Sequence, residues 1–200
     1  MALAARYLES VVEGLELCPY ARPARSAGGV RMERVGTRHD AGHCAARVAA
    51  LAQDAAVEAI LLVFDLDAGD ARHEARAFAA FLRQFQSLHR ADGSPAFYSV
   101  MFHPGIEERA ARTTPDSLVQ VIRRSPVPMI QCLRASVMDA VRAQAQSGAR
   151  ERLAAEAPSG RWALSDPVLS HAVAQANFAR YGDGAGRRLL EERLHTLSVE

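Results

Sequence analysis

The pattern of apolar and polar positions predicts a chain in which helices and strands follow one another. Helical spacing is clearest in the first segment, where Leu3, Tyr7 and Val11 recur at every fourth position. We expect this first helix to end at Cys18-Pro19, because proline cannot continue a helix. A continuous apolar run from Ala59 to Phe64 is typical instead of a central strand that is covered on both faces.

The same two periodicities predict the remaining elements of the first 157 residues. The predicted strands are Val30 to Val35, Ala59 to Phe64, Phe97 to Phe102 and Val127 to Leu133. The predicted helices are His39 to Gln53, a stripe through Phe78 and Phe85 that Asp70 caps, Pro115 to Arg123, and Ala135 to Ala157. This alternation predicts an α/β fold with about four strands in a largely parallel or mixed sheet, flanked by helices.

Two more helices are predicted near the C-terminus. One starts at Ser165-Asp-Pro167 and carries Val168, the other ends near Leu197, and the glycine-rich segment 182–186 is interpreted as the turn between them. We therefore expect an α/β domain over residues 1–157 and a C-terminal helical hairpin over residues 158–200, packed on the same domain. The hairpin could be a lid, a dimer arm or simply part of the fold.

Composition removes several classes of chemistry. All 24 basic residues are arginine, so the chain has no lysine for a Schiff base, a pyridoxal phosphate anchor or a P-loop. The formal net charge of +1 provides no general field for binding nucleic acid. Arginine remains well suited to bind a carboxylate or phosphate, because its planar guanidinium donates two parallel hydrogen bonds.

Localisation and redox state also follow from the sequence. The N-terminus lacks the basic head and apolar core of a secretory signal, and no apolar run approaches the roughly 20 residues that span a bilayer. We expect a cytoplasmic protein that does not bind membranes. Cys18, Cys44 and Cys132 include no C-x-x-C pair, which argues against a disulfide framework and a structural zinc site.

The most informative candidate for chemistry is His103. It follows the predicted strand Phe97–Phe102 directly, and Pro104 ends that strand. In open α/β sheets, ligands bind at the carboxyl ends of strands. His103 lies on the same strand face as Met101, so a neutral imidazole at an apolar pocket is expected. Such a ring suits an axial iron ligand or a general base, while the alternative is a histidine that only hydrogen-bonds a neighbouring loop.

Four other residues are candidates for the same site. Cys18, between a helix end and a proline, could be a nucleophile or a soft ligand, or simply a buried thiol. Arg123, Arg124 and Ser125 precede two prolines and could bind an anion, although a solvated arginine pair is an equal alternative. Four-residue spacing of His39 and His43 matches a zinc helix only weakly, and exposed polar residues are favoured there.

Four motifs in order resemble a bacterial family known as domain of unknown function 1415. The motifs are Cys18-Pro-Tyr-Ala21 after the first helix, Ile60-Leu-Leu-Val63, Phe102-His-Pro104, and Arg124-Ser-Pro-Val-Pro128 followed by Leu133-Arg134. The likeness covers roughly residues 7–142 and implies no activity. Gln131 stands where the family pattern L-H-L-L-R places a histidine, which makes this chain a divergent member and leaves any two-histidine site incomplete.

Three functional hypotheses remain open. The first is a small-molecule oxidoreductase that uses histidine-ligated iron, preferably haem, because iron held by a macrocycle needs only one axial histidine, His103. The second is a cofactor-free enzyme with His103 as general base and Cys18 as nucleophile. The third is a non-catalytic ligand-binding or interaction protein. The expected partners are a small-molecule substrate and a possible second copy of the chain in a homodimer.

Overall fold

A computed structural model describes residues 1–91, 97–107, 114–137, 139 and 168–198 of the chain. Its strands are β1 (Val30–Gly36), β2 (Ala59–Asp65), β3 (Phe97–Phe102) and β4 (Met129–Arg134). Its helices are α1 (Ala2–Tyr7), α2 (Ala21–Ser26), α3 (Ala41–Ala52), α4 (Ala75–Ala91), α5 (Pro115–Ile122), α6 (Val168–Tyr181) and α7 (Gly184–Ser198). A π-helix, Leu8–Glu13, follows α1, and a short 3₁₀ turn, Ala71–His73, precedes α4.

The four strands form one mixed sheet in the order β1-β2-β4-β3. β1 and β2 are parallel, whereas β4 runs antiparallel to both β2 and β3. The predicted α/β class with a mixed sheet is therefore confirmed, and parallel pairing is limited to one pair of strands. Helix–strand alternation could not distinguish these arrangements, because the short α5 reverses the chain between β3 and β4 instead of crossing the sheet.

This topology brings three strand ends to one edge of the sheet. β1, β2 and β3 run in the same direction, so their carboxyl ends meet the beginning of β4. The register shows this directly, since Met129 at the start of β4 pairs with Val63 on one side and with Phe102 on the other. His103 therefore lies at an edge where α/β proteins commonly bind ligands.

Two apolar cores lie on opposite faces of the sheet. Leu61 and Val63 contribute to a core that includes residues of α1, the π-helix, α5 and α7. Ile60 and Leu62 point to the other face, where α3 and α4 cover them. Alternate residues of β2 thus enter different cores, which explains why its sequence is apolar without interruption.

The N-terminal helix differs from its prediction. Within the π-helix, the amide of Gly14 bonds the carbonyl of Glu9 at 2.9 Å, the wider spacing typical of such helices. Glu16 then adopts φ 52°, a left-handed conformation that ends helical structure before Cys18. The predicted helix end at Cys18-Pro19 is therefore wrong, because a left-handed residue and not the proline turns the chain.

The C-terminal helices α6 and α7 form the predicted hairpin. Leu190, Leu194 and Leu197 of α7 are buried in the same core as Ala4 and Leu8. The boundary predicted between residues 157 and 158, and most of the predicted helix Ala135–Ala157, lie outside the described residues. Among the described helices, none is both long and apolar enough to cross a membrane.

Candidate functional site

The side chain of His103 is completely enclosed, with 0% of its surface exposed. Its ring centroid lies 5.3 Å from that of Phe78 of α4. Nδ1 accepts a hydrogen bond from the amide of Gly105 at 3.0 Å, and Nε2 lies 3.1 Å from the carbonyl oxygen of Arg72. Both ring nitrogens are therefore occupied by the backbone of two loops.

These two bonds determine the tautomer of His103. A carbonyl oxygen can only accept, so Nε2 carries the proton and donates it to Arg72, while the lone pair of Nδ1 points at the amide of Gly105. Burial lowers the pKa of the imidazole below its ordinary value, and the backbone oxygen of Arg72 only partly opposes this. In this arrangement neither nitrogen has a free lone pair for a metal or for a substrate proton.

Arg72 connects this histidine to the other loops at the same sheet edge. Its guanidinium donates to both carboxylate oxygens of Asp70, at 3.0 and 2.7 Å. It also donates to the carbonyl oxygens of His39 at 2.8 Å and Thr37 at 2.6 Å. The loops after β1 and β2 are thus held together by one buried arginine, whose own carbonyl receives the proton of His103.

The other residues predicted at this edge also make internal contacts. The Nε of Arg124 donates to the carbonyl oxygen of Ile106 at 2.8 Å, which joins the segment after β3 to the segment before β4. Ser125 is buried, and its hydroxyl donates to the carbonyl oxygen of Val127 at 2.6 Å. Met101 packs against the α3–α4 core. Each predicted residue therefore lies near the sheet edge, and the hydroxyl of Ser125 is occupied within its own turn.

Three more polar residues near this edge, His39, His43 and Asp65, also make internal contacts. The rings of His39 and His43 are stacked with centroids 4.0 Å apart, and Nδ1 of His39 accepts the amide proton of Gly36. Asp65 forms an ion pair with Arg34. Among the residues that the structure describes, no group of three or more His, Cys, Asp or Glu side chains could hold a metal ion.

An open cleft lies on the other side of the sheet from the His103 ring, beside the core that contains Leu15, Leu17 and Tyr181. We call it the Cys18 cleft; it has a volume of about 660 Å³ and is lined by Glu13, Glu16, Cys18, Pro19, Tyr20, Arg22, Pro23, Val173, Ala176, Asn177 and Arg180. One wall comes from residues 13–23, which run from the end of the π-helix into α2, and the other comes from α6. The lining therefore combines charged groups with two prolines, an aromatic ring and two small apolar side chains.

Cys18 lies partly exposed in the first wall, whereas Cys44 and Cys132 are buried in the α3–α4 core. Burial raises the pKa of the Cys18 thiol, and the backbone N–H groups of Tyr20 and Ala21 partly offset that effect. Burial also raises the pKa of Cys44, to about 12. Cys18 is therefore the thiol most open to reagents, and it is protonated at neutral pH.

Glu13 is a buried carboxylate at the end of the π-helix. The side chain of Arg25 donates to its two oxygens at 2.7 and 2.8 Å, which lowers the pKa of the carboxyl more than burial raises it. Arg22 donates to the backbone oxygen of the same residue at 3.2 Å. These contacts hold α2 against the π-helix, and α2 begins three residues after Cys18.

Two residues of α6 fix the chain on either side of Glu16. The amide nitrogen of Asn177 donates to the carbonyl oxygen of Leu17 at 2.8 Å, and the hydroxyl of Tyr181 donates to that of Leu15 at 2.7 Å. Both α6 side chains are buried, with 6% and 5% of their surface exposed. Carbonyl oxygens at the end of the N-terminal helix thus obtain their donors from a helix more than 150 residues later in the chain.

Cys18 and His103 do not share a site. His103 contacts Phe78, which belongs to the α3–α4 core, whereas Cys18 lines a cleft beside α6. The sheet separates the two residues. Sequence reasoning missed Glu13, Arg22, Asn177 and Arg180, because no motif or regular spacing joins a first-helix glutamate to a helix near the C-terminus.

Comparisons with known proteins give a family and no further relatives. No curated protein and no solved structure matches the chain. The model of a family described as "Protein of unknown function (DUF1415)" matches residues 2–154, a range that includes the whole sheet and one wall of the Cys18 cleft. Helices α6 and α7 lie beyond the matched residues. Because the match covers most of the 200 residues, the chain belongs to the DUF1415 family.

Proposed function

We propose that this protein binds a small organic molecule in the Cys18 cleft. The observation that supports this most directly is the cleft itself, whose volume of about 660 Å³ lies in the usual range for small-molecule sites. Its lining combines apolar surface from Pro19, Pro23 and Val173 with charged groups at the sides. Such a lining suits a ligand with an apolar body and a polar end.

The burial and hydrogen bonds of His103 support a structural role for this residue at the sheet edge. A ligand there would have to replace two backbone hydrogen bonds of a ring that is 0% exposed. The haem-dependent oxidoreductase therefore stays a prediction from sequence, and it requires His103 to release the amide of Gly105 before Nδ1 can bind iron. Optical and elemental analysis of protein from cells supplied with iron and a haem precursor tests that prediction.

The cofactor-free enzyme and the homodimer also stay predictions. A Cys18 nucleophile would need a base other than His103, since the two residues lie on opposite sides of the sheet. Light scattering of the purified chain measures its oligomeric state.

The binding proposal can be tested with a neutral probe and the cysteines. N-phenylnaphthylamine is uncharged, fluoresces in apolar sites and should occupy the cleft. We expect N-ethylmaleimide to label Cys18 at least roughly tenfold faster than the core residues Cys44 and Cys132, because exposure limits thiol reactivity. The bound probe should slow labelling of Cys18 alone, as peptide mass spectrometry would show.

Two tryptophan variants on α6 provide the matched comparison. Ala176 lines the cleft, while Ala179 is an exposed residue of the same helix outside its lining. Ala176→Trp should fill the cleft and abolish probe binding, and Ala179→Trp should leave binding unchanged. Equal probe binding by both variants, or labelling of Cys18 as slow as that of Cys44, would contradict the proposal.

A further inference from the structure

Helix α6 provides the part of the Cys18 cleft that lies outside the family match. The match ends at residue 154, whereas the cleft residues Val173, Ala176, Asn177 and Arg180 all belong to α6. Arg180 is the charged residue among these four, and the side-chain amide of Asn177 donates to the carbonyl oxygen of Leu17. The extension therefore adds a cationic wall to the family domain.

Arg180 already holds a carboxylate in a contact that is easily exchanged. Its Nη2 lies 3.2 Å from Oε2 of Glu16, and 47% and 69% of the two side chains are exposed. Exposed pairs of this kind contribute little to stability, because water competes for both partners. A ligand carboxylate can take the place of Glu16 at Arg180, because the exposed Glu16 side chain can turn into solvent without a burial cost.

The facing wall carries a second guanidinium with unused donors. Arg25 occupies both carboxylate oxygens of Glu13, while Arg22 donates through Nη2 to the backbone oxygen of Glu13 at 3.2 Å and its Nε is 3.9 Å from the carboxylate. The side chain of Arg22 is 65% exposed and lines the cleft. The contacts with Glu13 leave other N–H groups of the Arg22 guanidinium unused, and Arg22 and Arg180 lie on the two sides of one cavity.

We propose that the C-terminal helix α6 makes the Cys18 cleft selective for small organic acids, with Arg180 and Arg22 as the residues that contact the ligand carboxylate. This inference rests on the proposed binding function and adds the chemical class of the ligand. A guanidinium binds a carboxylate through two parallel hydrogen bonds, and the apolar surface between the walls accepts the rest of the molecule.

The charge preference can be measured with two disulfide reagents that react with Cys18. Dithiobis(nitrobenzoate) carries a carboxylate on each ring, whereas dithiodipyridine is uncharged at neutral pH. In both reactions the Cys18 thiolate attacks one reagent sulfur, a mixed disulfide forms, the reagent S–S bond breaks, and an aryl thiolate leaves with the electron pair. The thiol proton goes to solvent. Any change in the pKa of Cys18 affects both rates, so their ratio isolates the charge preference.

We expect Arg180→Gln and Arg22→Gln each to lower the ratio of the charged to the neutral reagent by roughly two- to tenfold at low ionic strength, with a smaller effect in high salt. Arg180→Lys should retain much of the ratio. Glu16→Gln should raise it, because Arg180 then loses its competing carboxylate. Arg188→Gln is the matched control, since Arg188 is exposed on α7 outside the cleft lining.

The outcomes separate this inference from the function on which it rests. If both reagents reach Cys18 rapidly but the ratio is the same in the wild type and all four arginine variants, the cleft is open and its preference for acids is refuted. If neither reagent labels Cys18 faster than Cys44, the cleft is closed and the binding function itself is refuted. A fall in the ratio for Arg180→Gln and Arg22→Gln, together with an unchanged ratio for Arg188→Gln, supports the inference.

Discussion

Substitution Tyr181→Phe tests whether α6 holds the segment that carries Cys18. The change removes only a hydroxyl that donates to the carbonyl oxygen of Leu15 at 2.7 Å, and the aromatic ring remains in place. Both residues are 5% exposed, so water cannot readily replace the lost donor. An unsatisfied buried carbonyl costs about 1–3 kcal/mol, and no cavity adds to that figure.

The corresponding assay is urea unfolding followed by circular dichroism. The urea midpoint should fall while the slope of the unfolding free energy against urea stays unchanged. In a thermal scan, each kcal/mol of lost stability should lower Tm by about 2–4 °C for a chain of this length. Tyr98→Phe is the control, because the Tyr98 side chain is 45% exposed and its hydroxyl is 3.4 Å from the Asp139 carboxylate. We expect that control to change stability by at most about 0.5 kcal/mol. Equal stabilities of the two variants would refute the role of α6.

Three further predictions concern buried ionisable groups. The Arg25 guanidinium keeps the pKa of Glu13 below its usual range, so the Glu13 carboxylate stabilises the fold at neutral pH, and this stabilisation is lost as the pH falls through and below about 4.3. Glu13→Gln should therefore make the free energy of unfolding less dependent on pH in this range. An unchanged acid unfolding curve would contradict this. Burial lowers the pKa of His103, so the unfolded chain binds the proton more readily and the urea midpoint should fall as the pH drops below about 6.5. His103→Phe should remove this pH dependence. A pH dependence that persists in the variant would assign it to another group. Arg72→Leu leaves the Asp70 carboxylate without its buried partner and should lower the free energy of unfolding by about 3–5 kcal/mol, as thermal unfolding would show. Adding Asp70→Asn should recover part of that stability. No recovery would mean that Arg72 acts mainly through the loop carbonyls of His39 and Thr37.

The sequence was sufficient for the four strands but not for their pairing, and it did not predict helix α2. The apolar run Ala59–Phe64 correctly predicted a strand covered on both faces, because each side of β2 enters a different core. Nothing in the local pattern indicated that β4 would lie between β2 and β3. That order depends on contacts between residues distant in the chain, such as Met129 with Val63 and Phe102.

The candidate site shows the same limit. The strand-end position of His103 was correctly placed at the carboxyl edge, but the hydrogen bond of its Nε2 and the packing of its ring depend on Arg72 and Phe78, which lie much earlier in the chain. The family match to residues 2–154 confirms the DUF1415 family that four motifs had suggested. Those motifs could not reveal the second wall of the cleft, because α6 lies outside the matched range.

The most direct test of the proposed binding site is amide chemical-shift mapping by NMR during titration with N-phenylnaphthylamine. Binding in the Cys18 cleft predicts shifts concentrated in the amides of residues 13–22 and 173–180, with those of residues 101–105 unchanged. Shifts centred on residues 101–105, at the sheet edge around His103, with residues 173–180 unaffected, would contradict the account.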